Sequence, residues 1–143
     1  GTSPRSVGGL RRTMNRAVFV FVYGTLLPGE SHHAVAARWL LDARPGEVAG
    51  RLVDCGAWPA LVRGGGAASG RVRGMWLTVR PEALADLDAL EDFAGPESAN
   101  DYERIWVRDA SGQPLEGWAY VWPDARGLPF MDVDYWPDRG KKE

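Results

Sequence analysis

Near its beginning the chain carries the segment Ala17-Val18-Phe19-Val20-Phe21-Val22-Tyr23-Gly24-Thr25-Leu26. Residues 17–23 are all apolar, and β-branched and aromatic side chains follow one another there without alternating polar residues. A strand that is buried on both faces has this pattern, because neither face meets water. Gly24 then ends the apolar run abruptly. The segment therefore predicts a buried strand that leads directly into a tight turn.

A helix and four more strands are predicted from the sequence that follows. The helix is capped by Ser31 and ends before Pro45-Gly46, because the apolar residues between them recur at helical spacing. Residues 63–70 are rich in glycine and predict a loop, and Ser111-Gly112 predicts the turn of a hairpin. The further predicted strands share β-branched or aromatic side chains and cover residues 47–54, 71–79, 102–108 and 115–122.

This arrangement predicts an α+β fold, a small mixed and strongly curved β-barrel-like sheet flanked by helices. Gly50 and Gly74 fall inside predicted strands, where glycine suits a bulge or a sharp bend of a sheet that curls toward closure. The seven tryptophans are expected to fill the interior of the barrel. We expect one domain over residues 1–143, with an ordered core at about 17–136 and flexible ends at 1–15 and 138–143.

Composition and charge exclude several classes of function. The formal net charge is −2 at pH 7 and both signs are interspersed, so no positive field is predicted for nucleic acid. Cys55 is the only cysteine, which excludes an internal disulfide and a cysteine cluster for a metal, and favours a reducing, cytoplasmic location. The apolar run at 17–22 is too short for a membrane helix. A monomer or a homodimer is expected, with no metal and no cofactor.

A second helix, from Pro81 to about Asp92, carries an acid where an apolar residue is expected. Leu84 and Leu87 define its apolar stripe, and Glu91 falls on the same stripe in the last turn. A carboxyl group that faces an apolar cavity loses hydration, which raises its pKa and suits it to general acid–base catalysis. The alternative is a glutamate that turns outward at the helix end or pairs with Arg104.

The turn after the first strand is the second candidate site element. A strand that delivers Tyr23, Gly24, Thr25 and Leu26 into a tight bend places several backbone N–H groups on one side of that bend. Such donors bind a carboxylate or an oxyanion without a charged side chain. A plain turn with no ligand is the alternative for this tetrapeptide on its own.

Several segments, taken in order, resemble the gamma-glutamyl cyclotransferase-like superfamily over residues 18–122. The matching segments are Val20-Phe21-Val22-Tyr23-Gly24-Thr25-Leu26, Gly50-Arg51-Leu52-Val53-Asp54 with the proline-containing turn at 56–62, Val72-Arg73-Gly74, Leu87-Asp88-Ala89-Leu90-Glu91 and Tyr102-Glu103-Arg104. The resemblance implies a small mixed barrel flanked by helices and a gamma-glutamyl substrate. It also implies that Glu91 is the catalytic glutamate and that Tyr23, Gly24, Thr25 and Leu26 grip the glutamyl end.

In the mechanism that the resemblance implies, the alpha-amino nitrogen of the substrate attacks its own gamma-carbonyl, releasing 5-oxoproline and a free amine. Glu91 moves the proton, and Tyr102 donates a hydrogen bond near it. A binding module for gamma-glutamyl compounds or 5-oxoproline, without turnover, is the alternative function. A thiol amidase that uses Cys55 with His32 and His33 is also considered, but the pattern favours a small buried or semi-buried cysteine and two solvent-facing histidines near a helix start.

Overall fold

A computed structural model describes residues 17–30, 32–55, 58–63, 70–90, 102–131 and 133–138 of the chain. These residues form strands, two short α-helices and a final 3₁₀ turn at Trp136–Asp138. The strands are β1 Val18–Val22, β2 Leu40–Asp54, β3 Pro59–Arg63, β4 Arg71–Val79, β5 Glu103–Arg108 and β6 Glu116–Trp122. The helices are α1 His33–Ala37 and α2 Ala83–Leu90.

Five of these strands close into a barrel, which confirms the predicted mixed, strongly curved sheet. The order around the ring is β1-β4-β2-β3-β6, and β6 returns to β1. The β1–β6 and β3–β6 pairs are parallel, whereas β1–β4, β2–β4 and β2–β3 are antiparallel. Strand β5 lies outside the ring and pairs with β6 as an antiparallel hairpin, as the turn at Ser111-Gly112 predicted.

Strand β1 is as buried as its sequence indicated. Val20, Phe21 and Val22 expose 0–2% of their surface, and the ring of Phe21 packs edge-on against Trp76 at a centroid distance of 5.3 Å. Strand β1 pairs with β4 along one edge and with β6 along the other, so neither edge is exposed. The turn that follows β1 therefore starts from a rigid support.

The prediction of a long first helix is wrong. Helix α1 ends at Ala37, and the chain is already in strand β2 at Leu40, continuing through Pro45 and Gly46. Residues 40–49 pair with β4, and this long-range ladder overrides the local helical periodicity. Proline is tolerated in β2 because this half of the strand pairs on one side only. The predicted cap, Ser31, lies outside the described residues.

Strand β2 changes partner at Gly50, which confirms the predicted bend. Residues before Gly50 pair with β4 and residues from Gly50 onward pair with β3. Gly50 has a φ of +145°, a conformation that side chains disfavour. A single long strand thus contributes to two sides of the barrel.

Strand β3 was expected to be a turn, and that prediction is wrong. Pro59 stands at the first strand position, where its missing N–H is tolerated, and Ala60, Leu61 and Val62 are buried. Strand β3 joins β6 in parallel, and it pairs with β2 on its other side. Parallel closure with a strand about sixty residues later leaves no local sequence signal.

The tryptophans only partly follow the prediction that they fill the barrel. Trp76, Trp122 and Trp136 are buried, at 1%, 6% and 2% exposure. The prediction is wrong for Trp58 and Trp106, which expose 44% and 51% of their surface. In the part of the chain that the structure describes, no helix has the length and apolarity needed to cross a membrane.

The carboxylate of Asp109 fastens the β5–β6 hairpin to the barrel. One oxygen accepts hydrogen bonds from the Glu47 amide and the Trp76 indole at 3.0 Å each. The other accepts from the amide and hydroxyl of Ser111 at 2.8 and 2.6 Å and from the Gln113 amide at 3.1 Å. Burial alone raises the pKa of Asp109, but these hydrogen bonds outweigh it and hold the pKa well below its ordinary value.

Asp109→Asn is expected to lower the free energy of unfolding by about 1–3 kcal/mol at pH 7. The N–H and O–H groups that donate to the Asp109 carboxylate would then face a neutral amide, which has only one accepting oxygen. Since the folded-state pKa is depressed, the stability from Asp109 is complete above the unfolded pKa of about 4 and declines below it. Urea unfolding of both proteins should show the difference shrinking below about pH 4. Asp124→Asn, at an exposed turn, is the control, and a difference that stays constant with pH would contradict the prediction.

Candidate active site

A cavity of about 250 Å³ lies at the carboxyl end of β1. Its wall combines the turn after β1, the start of β3, the end of α2 and two tyrosines that flank or belong to the outer hairpin. The lining residues are mostly apolar or aromatic: Val22, Tyr23, Gly24, Thr25, Leu26, His32, Trp58, Pro59, Leu90, Tyr102 and Tyr120. The five residues that the sequence predicted as substrate contacts, Tyr23, Gly24, Thr25, Leu26 and Tyr102, are all among them.

Glu91, the predicted acid–base residue, lies outside the described residues. Leu90, to which it is covalently joined, is the last residue of α2 and lines the cavity. The Leu87 side chain of the same helix is completely buried, as expected for the centre of the predicted apolar stripe. The helix therefore reaches the cavity at its carboxyl end, and the role of Glu91 stays a prediction.

The turn formed by residues 24–27, here called the 24–27 turn, has every one of its first three carbonyl groups fixed by a hydrogen bond. The Gly24 oxygen accepts from the Leu27 amide at 3.0 Å, which closes the turn. The Thr25 oxygen accepts from the His32 amide at 2.8 Å. The Leu26 oxygen accepts from Nδ1 of the His33 ring at 2.8 Å.

These bonds also fix the direction of the N–H groups in the turn. In a trans peptide plane the N–H points opposite to the C=O of the preceding residue. The Thr25 and Leu26 N–H groups therefore point away from the partners of the Gly24 and Thr25 carbonyls. Within the part of the chain that the structure describes, neither N–H donates a hydrogen bond to another group. The turn thus holds two oriented donors in residues that line the cavity.

The tyrosine hydroxyls are bonded to the protein framework. The hydroxyl of Tyr23 donates to the Tyr120 carbonyl and accepts from the Leu61 amide at 3.1 Å, which joins β1's end to β3 and β6. The hydroxyl of Tyr102 donates to the Pro59 carbonyl at 2.7 Å. The predicted donation by Tyr102 near Glu91 would need this proton, and it stays a prediction.

Asp88 connects helix α2 to the hairpin behind the cavity, a contact that sequence reasoning missed. Its carboxylate accepts a hydrogen bond of 2.6 Å from the Tyr120 hydroxyl and lies 3.2 Å from Nε of Arg104. Arg104, considered from the sequence as a partner for Glu91, thus forms an ion pair with Asp88. The spacing of 32 residues between Asp88 and Tyr120 gives no local signal for the contact.

The two histidines lie at the site, so the prediction that they face solvent is wrong. Both are partly buried, and His32 lines the cavity while His33 holds the 24–27 turn. Cys55 is also partly buried, with Sγ 3.9 Å from the Val53 carbonyl oxygen. Cys55 is not among the residues that line the cavity, so the described structure does not assemble it with His32 at this site.

Comparison with known proteins identifies the family of the chain. The protein-family model described as "Gamma-glutamyl cyclotransferase, AIG2-like" matches residues 20–138. "Gamma-L-glutamyl-butirosin B gamma-glutamyl cyclotransferase" of Niallia circulans is 37% identical over 107 residues, covering 72% of this chain and 65% of that protein. "Putative gamma-glutamylcyclotransferase" of Vibrio cholerae serotype O1 is 34% identical over 125 residues, covering 84% of this chain and 96% of that protein.

A solved structure shows the same fold. The crystal structure of an AIG2-like protein from Mus musculus superposes with a TM-score of 0.65 at 24% identity, covering 87% of this chain and 91% of that one. The alignment with the Niallia circulans enzyme spans slightly less than two thirds of that relative's length. The family match extends over most of the chain, from within β1 to the final 3₁₀ turn. The chain belongs to the gamma-glutamyl cyclotransferase, AIG2-like family.

Proposed function

We propose that this protein is a gamma-glutamyl cyclotransferase that releases 5-oxoproline and a free amine from a gamma-glutamyl amine or peptide. The observation that carries the proposal is the 24–27 turn, whose oriented Thr25 and Leu26 donors lie in the same cavity wall as the end of α2. The turn offers a place for an anion, and the helix leads directly into Glu91. Family membership supports the same chemistry.

The substrate is proposed to bind with its alpha-carboxylate on the Thr25 and Leu26 N–H groups. Hydrogen bonds from amides to a carboxylate are charge-assisted and roughly twice as strong as neutral ones. The aromatic wall, with Tyr23 and Tyr102, then surrounds the glutamyl carbons and excludes water. Excluding water strengthens the hydrogen bonds of the turn to the carboxylate.

The proposed reaction needs one proton carrier and a folded substrate. Glu91 takes a proton from the alpha-ammonium group, and the freed nitrogen attacks the gamma-carbonyl carbon to form the new C–N bond of a five-membered ring. The ring nitrogen of the tetrahedral intermediate then gives up a second proton, the original gamma-amide C–N bond breaks, and the departing nitrogen receives both protons, one of them from Glu91, so that 5-oxoproline and an ammonium ion are released. Holding the two reacting groups together contributes up to about 7–11 kcal/mol.

The amine part of the substrate is proposed to leave past Trp58 and His32. Trp58 lines the cavity and is 44% exposed, so it stands where the cavity meets solvent. The aromatic ring offers a contact surface to an amine of varied shape. One relative is named as acting on gamma-L-glutamyl-butirosin B, which makes bulky gamma-glutamyl amines one arm of the test.

The proposal is tested by incubating the protein with a panel of gamma-glutamyl dipeptides, gamma-glutamyl alkylamines and gamma-glutamylated aminoglycosides. We expect mass spectrometry to show 5-oxoproline and the free amine in equal amounts for at least one class. Hydrolysis to glutamate instead, or no product from any class, would contradict the proposal. A thermal shift with gamma-glutamyl compounds and no released amine would identify the binding module instead.

Cys55→Ser is expected to leave the rate of 5-oxoproline formation within about twofold of the wild type. The thiol lies outside the lining of the cavity, and the proposed mechanism forms no covalent intermediate with the protein. Steady-state kinetics on the best substrate of the panel checks the prediction. A thiol amidase would lose its activity in this variant and on alkylation of Cys55. The expected absence of a metal and the cytoplasmic location stay predictions.

A further inference from the structure

We propose that His33 is a positioning residue that holds the anion-binding 24–27 turn in its competent shape, an inference that rests on the proposed function. The ring does not line the cavity, and it acts through the Leu26 carbonyl group. This role is inferred from the two hydrogen bonds that hold the peptide plane between Leu26 and Leu27.

The bond between His33 and Leu26 has a defined direction. A carbonyl oxygen only accepts, so Nδ1 of His33 carries the proton in this contact, with a donor–acceptor distance of 2.8 Å. Nδ1 can donate in both the neutral and the protonated imidazole.

The peptide plane between Leu26 and Leu27 is held at both of its polar ends. Its oxygen accepts from the His33 ring, and its N–H donates to the Gly24 oxygen at 3.0 Å, which closes the turn. Rotation of this plane would break both bonds together. The Gly24 carbonyl, once fixed, sets the direction of the Thr25 N–H in the adjoining peptide plane. His33 thus fixes the direction of the Thr25 N–H without contacting it.

The position of His33 is fixed by the packing of helix α1 and by a backbone hydrogen bond. Helix α1 buries Ala36 completely in the core, and the His33 amide donates back to the Glu30 carbonyl at 3.2 Å. The adjacent His32 amide holds the Thr25 carbonyl at 2.8 Å. Consecutive residues thus fix consecutive carbonyls of the turn, one through the backbone and one through a side chain. The side-chain contact can be removed by substitution without a change in the backbone.

The test compares His33→Asn, His33→Gln and His33→Ala with the wild type. The Asn side-chain nitrogen is one bond from Cγ, as Nδ1 is in histidine, so it can donate from nearly the same place. The Gln nitrogen is one bond further out and cannot. Ala34→Ser, at an exposed position of the same helix, is the matched control.

We expect His33→Ala and His33→Gln to raise KM about tenfold with kcat within about threefold, because loss of one hydrogen bond weakens carboxylate binding in ground and transition states alike. His33→Asn and Ala34→Ser should stay within about twofold of the wild type in both parameters. The pH profile of kcat should be unchanged in every variant. A purely structural role would reduce the amount of folded protein without this split between KM and kcat.

An unchanged KM in His33→Gln, or a His33→Asn variant no better than His33→Gln, would overturn the inference. The comparison between these two amides remains informative if His33→Ala does not fold. Calorimetric titration with 5-oxoproline should show the same order of affinities as KM. If the wild type binds 5-oxoproline but turns over no substrate, the proposed function fails, while this titration still decides the role of His33.

Discussion

Glu91→Gln is expected to abolish detectable 5-oxoproline formation, a loss of about 10²–10⁴-fold in kcat, the range that a general acid–base group contributes. Glutamine has almost the same shape but cannot take a proton from the alpha-ammonium group or return one to the leaving nitrogen. In the proposed mechanism the substrate binds through the 24–27 turn, and this side chain serves only to move protons. KM and the affinity for 5-oxoproline should therefore change far less than kcat.

Glu82→Gln is the matched control for Glu91→Gln. Glu82 precedes the same helix, is exposed, and is 3.7 Å from Arg80 in a surface ion pair, which contributes little to stability. The control should keep full activity, and both variants should melt within a few degrees of the wild type. Wild-type turnover in Glu91→Gln would contradict the role of Glu91 and would mean that another group transfers the proton.

Gly74→Ala is expected to lower the free energy of unfolding by about 3 kcal/mol or more, at the upper end of overpacking effects. A Cβ atom at position 74 would lie 2.2 Å from the Val22 carbonyl oxygen and 3.2 Å from the Cα of Tyr23. These are backbone atoms of β1 and of the residue that follows it, so the clash is relieved only if β1 moves away from β4. Denaturant unfolding followed by tryptophan fluorescence measures the loss.

Gly29→Ala separates this steric effect from backbone strain. Gly29 has a φ of +88°, and a methyl group added there would have no other atom within 4 Å, so alanine should cost only about 1–2 kcal/mol. Gly74→Ala should also reduce 5-oxoproline formation in the folded fraction, because the displaced strand carries the 24–27 turn. Equal destabilisation by the two substitutions would show that the barrel accommodates the extra methyl group.

The sequence predicted the elements whose signals are local. Strand β1 was predicted correctly because its continuous apolar run suits burial on both faces. The bend at Gly50 was predicted correctly because glycine weakens a regular strand and often marks a bulge or a bend. The first helix was overestimated because residues 40–49 pair with β4, a long-range contact that the local pattern does not show. Strand β3 was missed because its partner β6 follows much later in the chain.

The position of the candidate site was likewise predictable only where the signal is local. The residues of the 24–27 turn follow directly from β1, so their position at one end of the barrel was implied by the strand itself. The contact of Asp88 with Tyr120 and the bond of His33 to Leu26 depend on how distant elements or a short helix pack. The adjacent histidines after a turn were the one available signal for His33, and their pattern alone favoured a solvent-facing pair.

The parallel pairing of β6 with both β1 and β3 has a consequence for how the protein forms in the cell. Tyr23 and Tyr120, which are joined by a hydrogen bond, are separated by 97 positions. At a synthesis rate of about 5–20 residues per second, β6 is synthesised roughly 5–20 seconds after β1. During that time the nascent chain presents unpaired strand edges, which are templates for association with other chains. Ribosome-bound chains that stop before β6 should therefore recruit chaperones more strongly than chains that include it.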